Sequence, residues 1–470
     1  MFVHAQMAVA LGYNYTLFVN ADGKLFACGQ NNFGQLGVGD WEARILPTPV
    51  DPHNLTLLHN QDVILVSAGD THAGCVTSSG VVWMWGRASS GALGPSDPLI
   101  SSQWLPRVFY TPNRGLGRPA AVMLACGCEF TLVLDTSGGV WSCGFGQNGQ
   151  LGHGNDLDIY TLTQIHPDHF GGRAMRMIAV GACHSMAVEE DTGVLWTWGC
   201  NRSGKLGQDH VLENVSLPIP IDPATFRGNM AKPDVVVSVA AGSNHTMAVT
   251  VAGVLWGCGN GLQGQVGSGQ RVVLTAFVRV GGEEYFGTGG VRMVTCHQQQ
   301  TLIVAQDNTL WVCGARDSAA LGVARAQRDA DVLTPRQLPQ PQFGNDAVVV
   351  VAAGTLHSAA VTASGELYTW GDGQGPTALG YNNAWGAQWV PRYVTLIALD
   401  EPRIGRWHGI QQRSMLAFLM TQHVRLGQNS LWHTFPVELL QEMLEDKFVP
   451  RAGTSRGIRN LMGLLEGPLQ

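Results

Sequence analysis

Charge is what this 470-residue chain has least of. Asp, Glu, Lys and Arg together make up 13% of it, about half the usual share. The formal net charge is −7, from 28 basic and 35 acidic residues, with no long run of one sign. A sequence-independent grip on phosphates needs clustered Lys and Arg, so direct nucleic-acid binding is not favoured. No stretch reaches the ~18 apolar residues of a membrane-spanning helix, and no membrane partner is expected; runs such as AVVVVAAG are strand-sized. The opening MFVHAQMAVALGYNYTLFV lacks the basic region and cleavage pattern of a signal peptide. The 10 cysteines are dispersed and make no four-ligand zinc set, so they read as reduced thiols of a cytoplasmic or nuclear protein.

Glycine is what the chain has in excess. Its 60 glycines and 22 prolines, beside 45% apolar residues, point to strands joined by tight turns around a sizeable core. One element recurs seven times: LFACGQNNFGQLG, VWMWGRASSGALG, VWSCGFGQNGQLG, LWTWGCNRSGKLG, LWGCGNGLQGQVG, LWVCGARDSAALG and LYTWGDGQGPTALG. Its first fixed glycine falls at Gly29, Gly86, Gly144, Gly199, Gly259, Gly314 and Gly371, in steps of 57, 58, 55, 60, 55 and 57 residues. A period of this kind is the signature of a repeat architecture.

Each column of the repeat has a physical reason. Three residues before the fixed glycine stands an aromatic: Phe26, Trp83, Trp141, Trp196, Trp256, Trp311 and Tyr368. One residue before it stands Cys28, Trp85, Cys143, Trp198, Cys258, Cys313 or Trp370. A spacing of two puts each pair on one face of a strand, while the Leu or Val before the aromatic lies on the other. A strand apolar on both faces must be covered on both sides. Six residues before the fixed glycine come Gly23, Gly80, Gly138, Gly193, Gly253, Asn308 and Gly365, a set that a hairpin position with positive φ would select. Upstream of that turn lies a second strand, such as TLVLDT, and before it a further one, such as VVVSVAAG. Downstream, a variable loop leads to a short strand that often carries proline, as in LPRVF or VPRYV. The total is about four strands per repeat, the number a propeller blade requires.

The pattern A-G-x-x-H-[ST]-x-A-[VL]-T, followed by a glycine turn and [VL]-[WY]-x-[WC]-G-x-N-x-x-G-Q-L-G, resembles the regulator of chromosome condensation repeat. AAGSNHTMAVT at 240–250 and CGFGQNGQLGHG at 143–154 carry the resemblance most clearly. It covers about residues 5–420 and implies an all-β, seven-bladed propeller of four-stranded antiparallel blades. Residues 1–420 are accordingly assigned to the propeller and 421–470 to a short helical C-terminal tail. RIGRWHGI and SMLAFLM resemble an eighth copy of the first two strands, so a blade composed from both chain ends is expected to close the ring.

Several apparent motifs dissolve into the repeat. GFGQNG at 144–149 and GNGLQG at 259–264 fit G-x-G-x-x-G, but a dinucleotide site needs a helix after the glycines. GCNRSGKL at 199–206 has Leu206 where a phosphate-binding loop needs Ser or Thr, and Lys205 merely replaces the glutamine of the repeat. GTSRG at 453–457 fits a nucleophile elbow without the strand and helix that such an elbow requires. Cys126 with Cys128, and Cys296 with His297, occupy repeat positions expected to be packed. His72, His184, His245 and His357 share one column with Tyr15, Phe130 and Gln300. They read as structural histidines that bond to backbone within each blade. No catalytic, cofactor or metal site is expected.

Of the 14 tryptophans, eight fill the two repeat columns. A light-sensing member of the resembled family carries clustered tryptophans in Gly-Trp-Arg-His-Thr segments; the corresponding stretches here read GACHS, GSNHT and GTLHS, which excludes photoreception. Trp41, Trp104, Trp385 and Trp389 stand in the variable loops, as loop anchors or as partner-binding residues. In the tail, TFPVELLQEMLEDKF at 434–448 begins with Pro436 near a helix start. Leu439, Leu440, Met443 and Leu444 then form an apolar stripe, and Ile458, Leu461, Met462 and Leu465 a weaker second one. With Phe435, that first segment resembles the opening of an F-box, which docks a ubiquitin-ligase adaptor; the alternative is a helical pair packed on the propeller or capping its closure.

A non-catalytic protein–protein interaction scaffold is therefore the leading expectation. The resemblance implies a second, guanine nucleotide exchange on a Ran-like small GTPase. The wedge that performs it in the family lengthens one repeat's loop, whereas here the two glycines of the loop lie eight apart in six repeats and nine in the seventh. A third expectation makes the propeller a substrate receptor of a ubiquitin ligase, with the tail as adaptor contact.

Overall fold

The computed structural model describes residues 9–394, apart from 21–22, 52–55, 95–100, 114–117, 210–212, 228–233, 316–318, 325–330, 373–377 and 382–386. Seven four-stranded antiparallel sheets follow one another along the chain, and in each the order of strands in space is their order in sequence. Blade 1 is built from Val9–Leu11, Tyr15–Val19, Leu25–Gly29 and Arg44–Pro49; blade 4 from Met175–Val180, His184–Glu189, Leu195–Gly199 and Val215–Pro220. The first strands surround a central channel of about 250 Å³. The second and third strands of blade 4 are buried at every position, because each sheet is sandwiched between its neighbours. The fourth strands are half-exposed and carry Pro47, Pro106, Pro218, Pro335 and Pro391. A residue with no N–H to donate is tolerated on an outer edge and blunts it against pairing with another chain.

The two glycine columns have the backbone their spacing predicts. The turn column runs from φ 64° at Asn308 to 87° at Gly365. At the fixed glycine, the pairing of the third and fourth strands slips in every blade, for instance between Ala27 and Gly29. A Cβ on Gly29 would lie 2.4 Å from both the Asn14 carbonyl oxygen and the Tyr15 Cα. That contact forbids any side chain at this bulge.

The residue before that glycine stitches each blade to the one before it. Trp85, Trp198 and Trp370 donate Nε1–H to the carbonyls of Gln35, Gln150 and Ala320 at 2.9, 2.8 and 2.7 Å. Where the column holds cysteine, the thiol donates to the equivalent carbonyl: Cys28 to Ala378, Cys143 to Ala92, Cys258 to Lys205 and Cys313 to Gln265, at 3.5–3.8 Å. One carbonyl per seam is thus met by an indole or a thiol.

The histidine column corrects the expectation of bonds within each blade. His72, His184, His245 and His357 reach across the seam to Thr131, Thr246, Thr301 and Thr16 of the following blade, at 2.9–3.1 Å. Each threonine hydroxyl gives its only proton to the same seam carbonyl, at 2.7–2.8 Å. The histidine must then donate its Nε2–H, so the neutral tautomer is imposed by the network. Two neighbours on one β-strand point to opposite faces, which is why the column turns outward from its own sheet.

The pair His357–Thr16 joins blade 7 to blade 1 and closes the ring. A composite blade is not what closes it: among the described residues each sheet comes from one continuous stretch of chain. Seven complete copies supply all the strands described, and the seam between blades 7 and 1 carries the same histidine–threonine and thiol–carbonyl bonds as those between blades 2 and 3, 4 and 5, and 5 and 6. RIGRWHGI and SMLAFLM lie outside the described residues. A further column escaped the sequence reading. Phe170, Phe226, Phe286 and Phe343, in the connections between blades, pack edge-on against Trp196, Trp256, Trp311 and Tyr368, with ring centroids 5.6–5.7 Å apart.

Candidate functional site

The third strand runs back antiparallel to the second, so the loop that follows it emerges beside the loop that precedes the second. Gln30 donates its N–H to Asn14, Arg87 to Thr71 and Asn260 to Asn244. One face of the ring therefore gathers both kinds of loop, and the other face carries the glycine turns and the connections between blades. Near the rim of this loop face, the described residues expose Trp41, Trp104, Leu157, Tyr160, Leu217, Leu262, Val272 and Val273. They belong to five consecutive blades.

Trp41 and Trp104 come together, as no spacing in the sequence announces. Trp41 sits at the end of the blade 1 loop and Trp104 at the start of the fourth strand of blade 2, Ser102–Tyr110. Their ring centroids are 5.4 Å apart and tilted by 40°, and each residue is 43% exposed. The loop is braced from within. Asn31 donates Nδ2–H to the Asp40 carbonyl at 2.8 Å and accepts the Leu36 N–H at 3.0 Å. Gly39 N–H reaches the Trp104 carbonyl at 3.1 Å. Burial pushes the Asp40 carboxyl up, but hydrogen bonds from Arg44 and the Glu42 N–H outweigh it and hold the group below its ordinary value. Beside the indole pair, the Arg87 guanidinium lies 5.1 Å above the Phe33 ring and 3.5 Å from Glu129. The result is a half-exposed set of aromatic rings flanked by one ion pair, held on a rigid frame.

Of the other residues singled out in sequence, Trp389 is half-buried in the fourth strand of blade 7, Gln388–Tyr393. Trp385 and the tail residues Phe435, Pro436, Leu439, Leu440, Met443 and Leu444 lie outside the described residues, as does GTSRG. The two G-x-G-x-x-G stretches form loops that lead into the strands Ile159–Gln164 and Val273–Arg279 rather than into helices. Tyr160, Leu157 and Leu217 were missed because a single apolar residue in a variable loop carries no periodicity. Their signal is positional: the backbone of Tyr160 covers Gly91 as that of Trp104 covers Gly34.

The channel is the second concavity. Small apolar residues such as Ala68, Ala125, Ala179 and Ala352 line it, with Asp70, Cys128 and His297 among its polar groups. Burial holds the His297 imidazole below its ordinary value against the pull of Asp70, and it pushes the Cys128 thiol up. A raised thiol is a poor nucleophile, so this wall suits packing better than chemistry.

Fold and columns together define a seven-bladed propeller of regulator of chromosome condensation repeats. Residues 50–408 match the RCC1-like domain, and 22–76 and 8–35 match regulator of chromosome condensation (RCC1) repeats; the chain belongs to the RCC1-like domain family. The ultraviolet-B receptor UVR8 of Arabidopsis thaliana is 28% identical over 324 residues, 69% of this chain and 68% of the receptor. The human probable E3 ubiquitin-protein ligase HERC3 is 32% identical over 215 residues, 46% of this chain but 19% of that protein. The human E3 ubiquitin-protein ligase HERC2 is 27% identical over 396 residues, 84% of this chain but 8% of that protein. The matches thus span about two thirds of the receptor and a small part of either ligase. Among solved structures, Prp20p of Saccharomyces cerevisiae superposes with a TM-score of 0.68 at 22% identity, covering 84% of this chain and 89% of Prp20p. Human WBSCR16 gives 0.66 at 21% identity, over 80% of this chain and 95% of that one. At such identities the likeness is one of fold. Among the described residues, no helix is long and apolar enough to cross a membrane.

Proposed function

We propose that this chain is a non-catalytic protein-binding scaffold of the cytoplasm or nucleus, and that the loop face around Trp41 and Trp104 is its docking surface. One observation carries the reading: two indoles from different blades meet in solvent, Trp41 on a loop fixed by internal hydrogen bonds and Trp104 on the fourth strand of the next blade. Large aromatic side chains at a preorganised site supply binding energy with little ordering cost. All ten cysteines are free thiols, which supports a reducing compartment. The test is affinity capture from the protein's own cell extract with the wild-type chain and with W41A/W104A. Partners retained by the first and lost by the second support the reading; an identical set on both rejects it.

Exchange on a small GTPase is the second reading. It is favoured by the fold likeness to Prp20p, whose reported structure concerns its binding to Gsp1p and histones. Acceleration of labelled-nucleotide release from a Ran-like GTPase by catalytic amounts of the protein would establish it. The ubiquitin-ligase reading draws on the names of the HERC relatives and assigns residues 421–470 to the adaptor; truncation at 420 should then abolish adaptor capture while partners of the loop face remain.

A further inference from the structure

Blade 4 carries a charged residue at a position on the loop face where the other blades hold glutamine or, in blades 2, 6 and 7, Ala92, Ala320 and Ala378. Blades 1, 3 and 5 place Gln35, Gln150 and Gln265 before the closing Leu-Gly or Val-Gly, and each glutamine Oε1 accepts a backbone N–H of its own loop at 2.8–3.0 Å. Lys205 stands there in blade 4 and cannot accept. It is only 1% exposed, and its ammonium donates to Cys183 Sγ at 3.2 Å, to the Ser243 carbonyl at 3.1 Å and to Asn244 Oδ1 at 3.0 Å. None of the three is a carboxylate. A buried ammonium is costly unless an anion accompanies it, and the acidic group in contact is a thiol.

That thiol has a partner. Cys183 precedes the second strand of blade 4 and Cys200 follows the third. His184 and Gly199 face one another in the ladder, and the next pair outward is Cys183 and Cys200, joined by the Cys200 N–H to the Cys183 carbonyl at 2.9 Å. Cα atoms directly opposite across an antiparallel ladder are about 4.5–5.5 Å apart, inside the range a disulfide spans. Cys183 is half-buried and Cys200 buried, beside Gly181 and Ala182 of the channel wall. Elsewhere in the ring the fixed-column thiols Cys28, Cys143, Cys258 and Cys313 each have a seam carbonyl to bond. Cys183 and Cys200 belong to no repeat column and are held by one another and by Lys205.

We propose that Cys183 and Cys200 form a peroxide-reactive dithiol site, with Lys205 as the counter-ion of its thiolate. A thiolate of the pair attacks one oxygen of hydrogen peroxide; the O–O bond breaks, hydroxide leaves, and a sulfenic acid remains. The second thiol then attacks that sulfur, the S–O bond breaks, and the oxygen leaves as water with the thiol proton. The hydroxide takes up the proton that the first thiol gave up to become a thiolate, so two thiols are oxidised to a disulfide and one peroxide is reduced to two waters. The electrostatics agree: the hydrogen bond from Cys183, joined by the Arg202 N–H and the Lys205 ammonium, outweighs burial and holds Cys200 well below the ordinary thiol range, and Cys183 is raised in return. One negative charge shared by two sulfurs beside an ammonium is the environment that makes a thiol reactive at neutral pH. Oxidation removes that charge and strands Lys205 against blade 5, which it bridges through Ser243 and Asn244.

The native full chain is treated with one equivalent of hydrogen peroxide, quenched, denatured, alkylated and cleaved with trypsin. Cys183 and Cys200 fall in one peptide, 177–202. That peptide is expected to lose two hydrogens and take up no alkyl group, while peptides bearing the other eight cysteines are alkylated in full, and a thiol reductant restores it. Lys205→Gln, the side chain native to three other blades, should slow the reaction at least tenfold and move its pH midpoint towards the ordinary thiol range. Uniform oxidation of all ten cysteines, a sulfenic acid trapped in 177–202 with no internal cross-link, or an unchanged rate and pH midpoint in Lys205→Gln would each overturn the proposal. The wild-type peptide map alone decides the first two, whatever the variant's stability.

Discussion

The seams between blades and the rim of the loop face are built by the same chain only a few residues apart, under opposite rules. Gln35 and Trp41 belong to one loop. The first gives its carbonyl to Trp85 in the seam; the second lies open against Trp104. In the seam, every blade must answer one carbonyl and one flat neighbouring sheet, so the column admits only an indole or a thiol. On the rim nothing of this kind is demanded, and Trp, Leu, Tyr and Val alternate from blade to blade. Uniformity thus marks where the fold is held, and variation marks where it is free to bind.

That contrast can be broken most forcefully by acid. Burial holds the imidazole of His72 down at about 4 and those of His245 and His357 at about 3. In the unfolded chain each takes a proton near 6.5, so stability is full above that pH and falls as pH drops towards 4 and 3. At about 1.4 kcal/mol per pH unit, these histidines should unfold the ring before their folded values are reached. Urea midpoints followed from pH 7 to 4 check this; a flat profile would deny that the seam histidines are neutral donors. Trp198→Ala should cost about 3–5 kcal/mol, since it empties a buried site between Phe170 and the Gln150 carbonyl. Chemical denaturation measures it, and a loss below 1 kcal/mol would remove the seam's claim. Cys143→Ala, which removes a smaller donor to the equivalent carbonyl, should cost about 1 kcal/mol. Trp104→Ala should change stability by less than about 0.5 kcal/mol while weakening partner capture at least tenfold. A destabilised Trp104→Ala would instead make that indole an anchor of its loop.

Much of the ring was legible in the columns. Asn308 among six turn glycines announced positive φ because only backbone sterics select that pair of residues. Trp85, Trp198 and Trp370 announced a strand buried on both faces. The histidine column was read with the wrong partner because alternation along a strand says which face a residue takes, not which neighbouring sheet receives it. The composite blade was expected from strand-like segments near 404–420, yet seven copies already supply every strand described. Phe170, Phe226, Phe286 and Phe343 went unread because they fall in connections of unequal length, where no fixed spacing survives. At the candidate site, composition marked Trp41 and Trp104 as unused by the repeat, but their contact joins residues 63 positions apart in different blades.

By itself the sequence determined the strands, the turns and the number of blades, because each depends on forces acting within a few residues: alternation, φ preference and the need to cover two apolar faces. Tertiary structure alone decided what meets across the seams, the histidine to the next blade's threonine, the indole pair on the rim, Lys205 against Cys183. Those pairings depend on the angle at which one finished sheet packs on another, and no local stretch of chain encodes that angle.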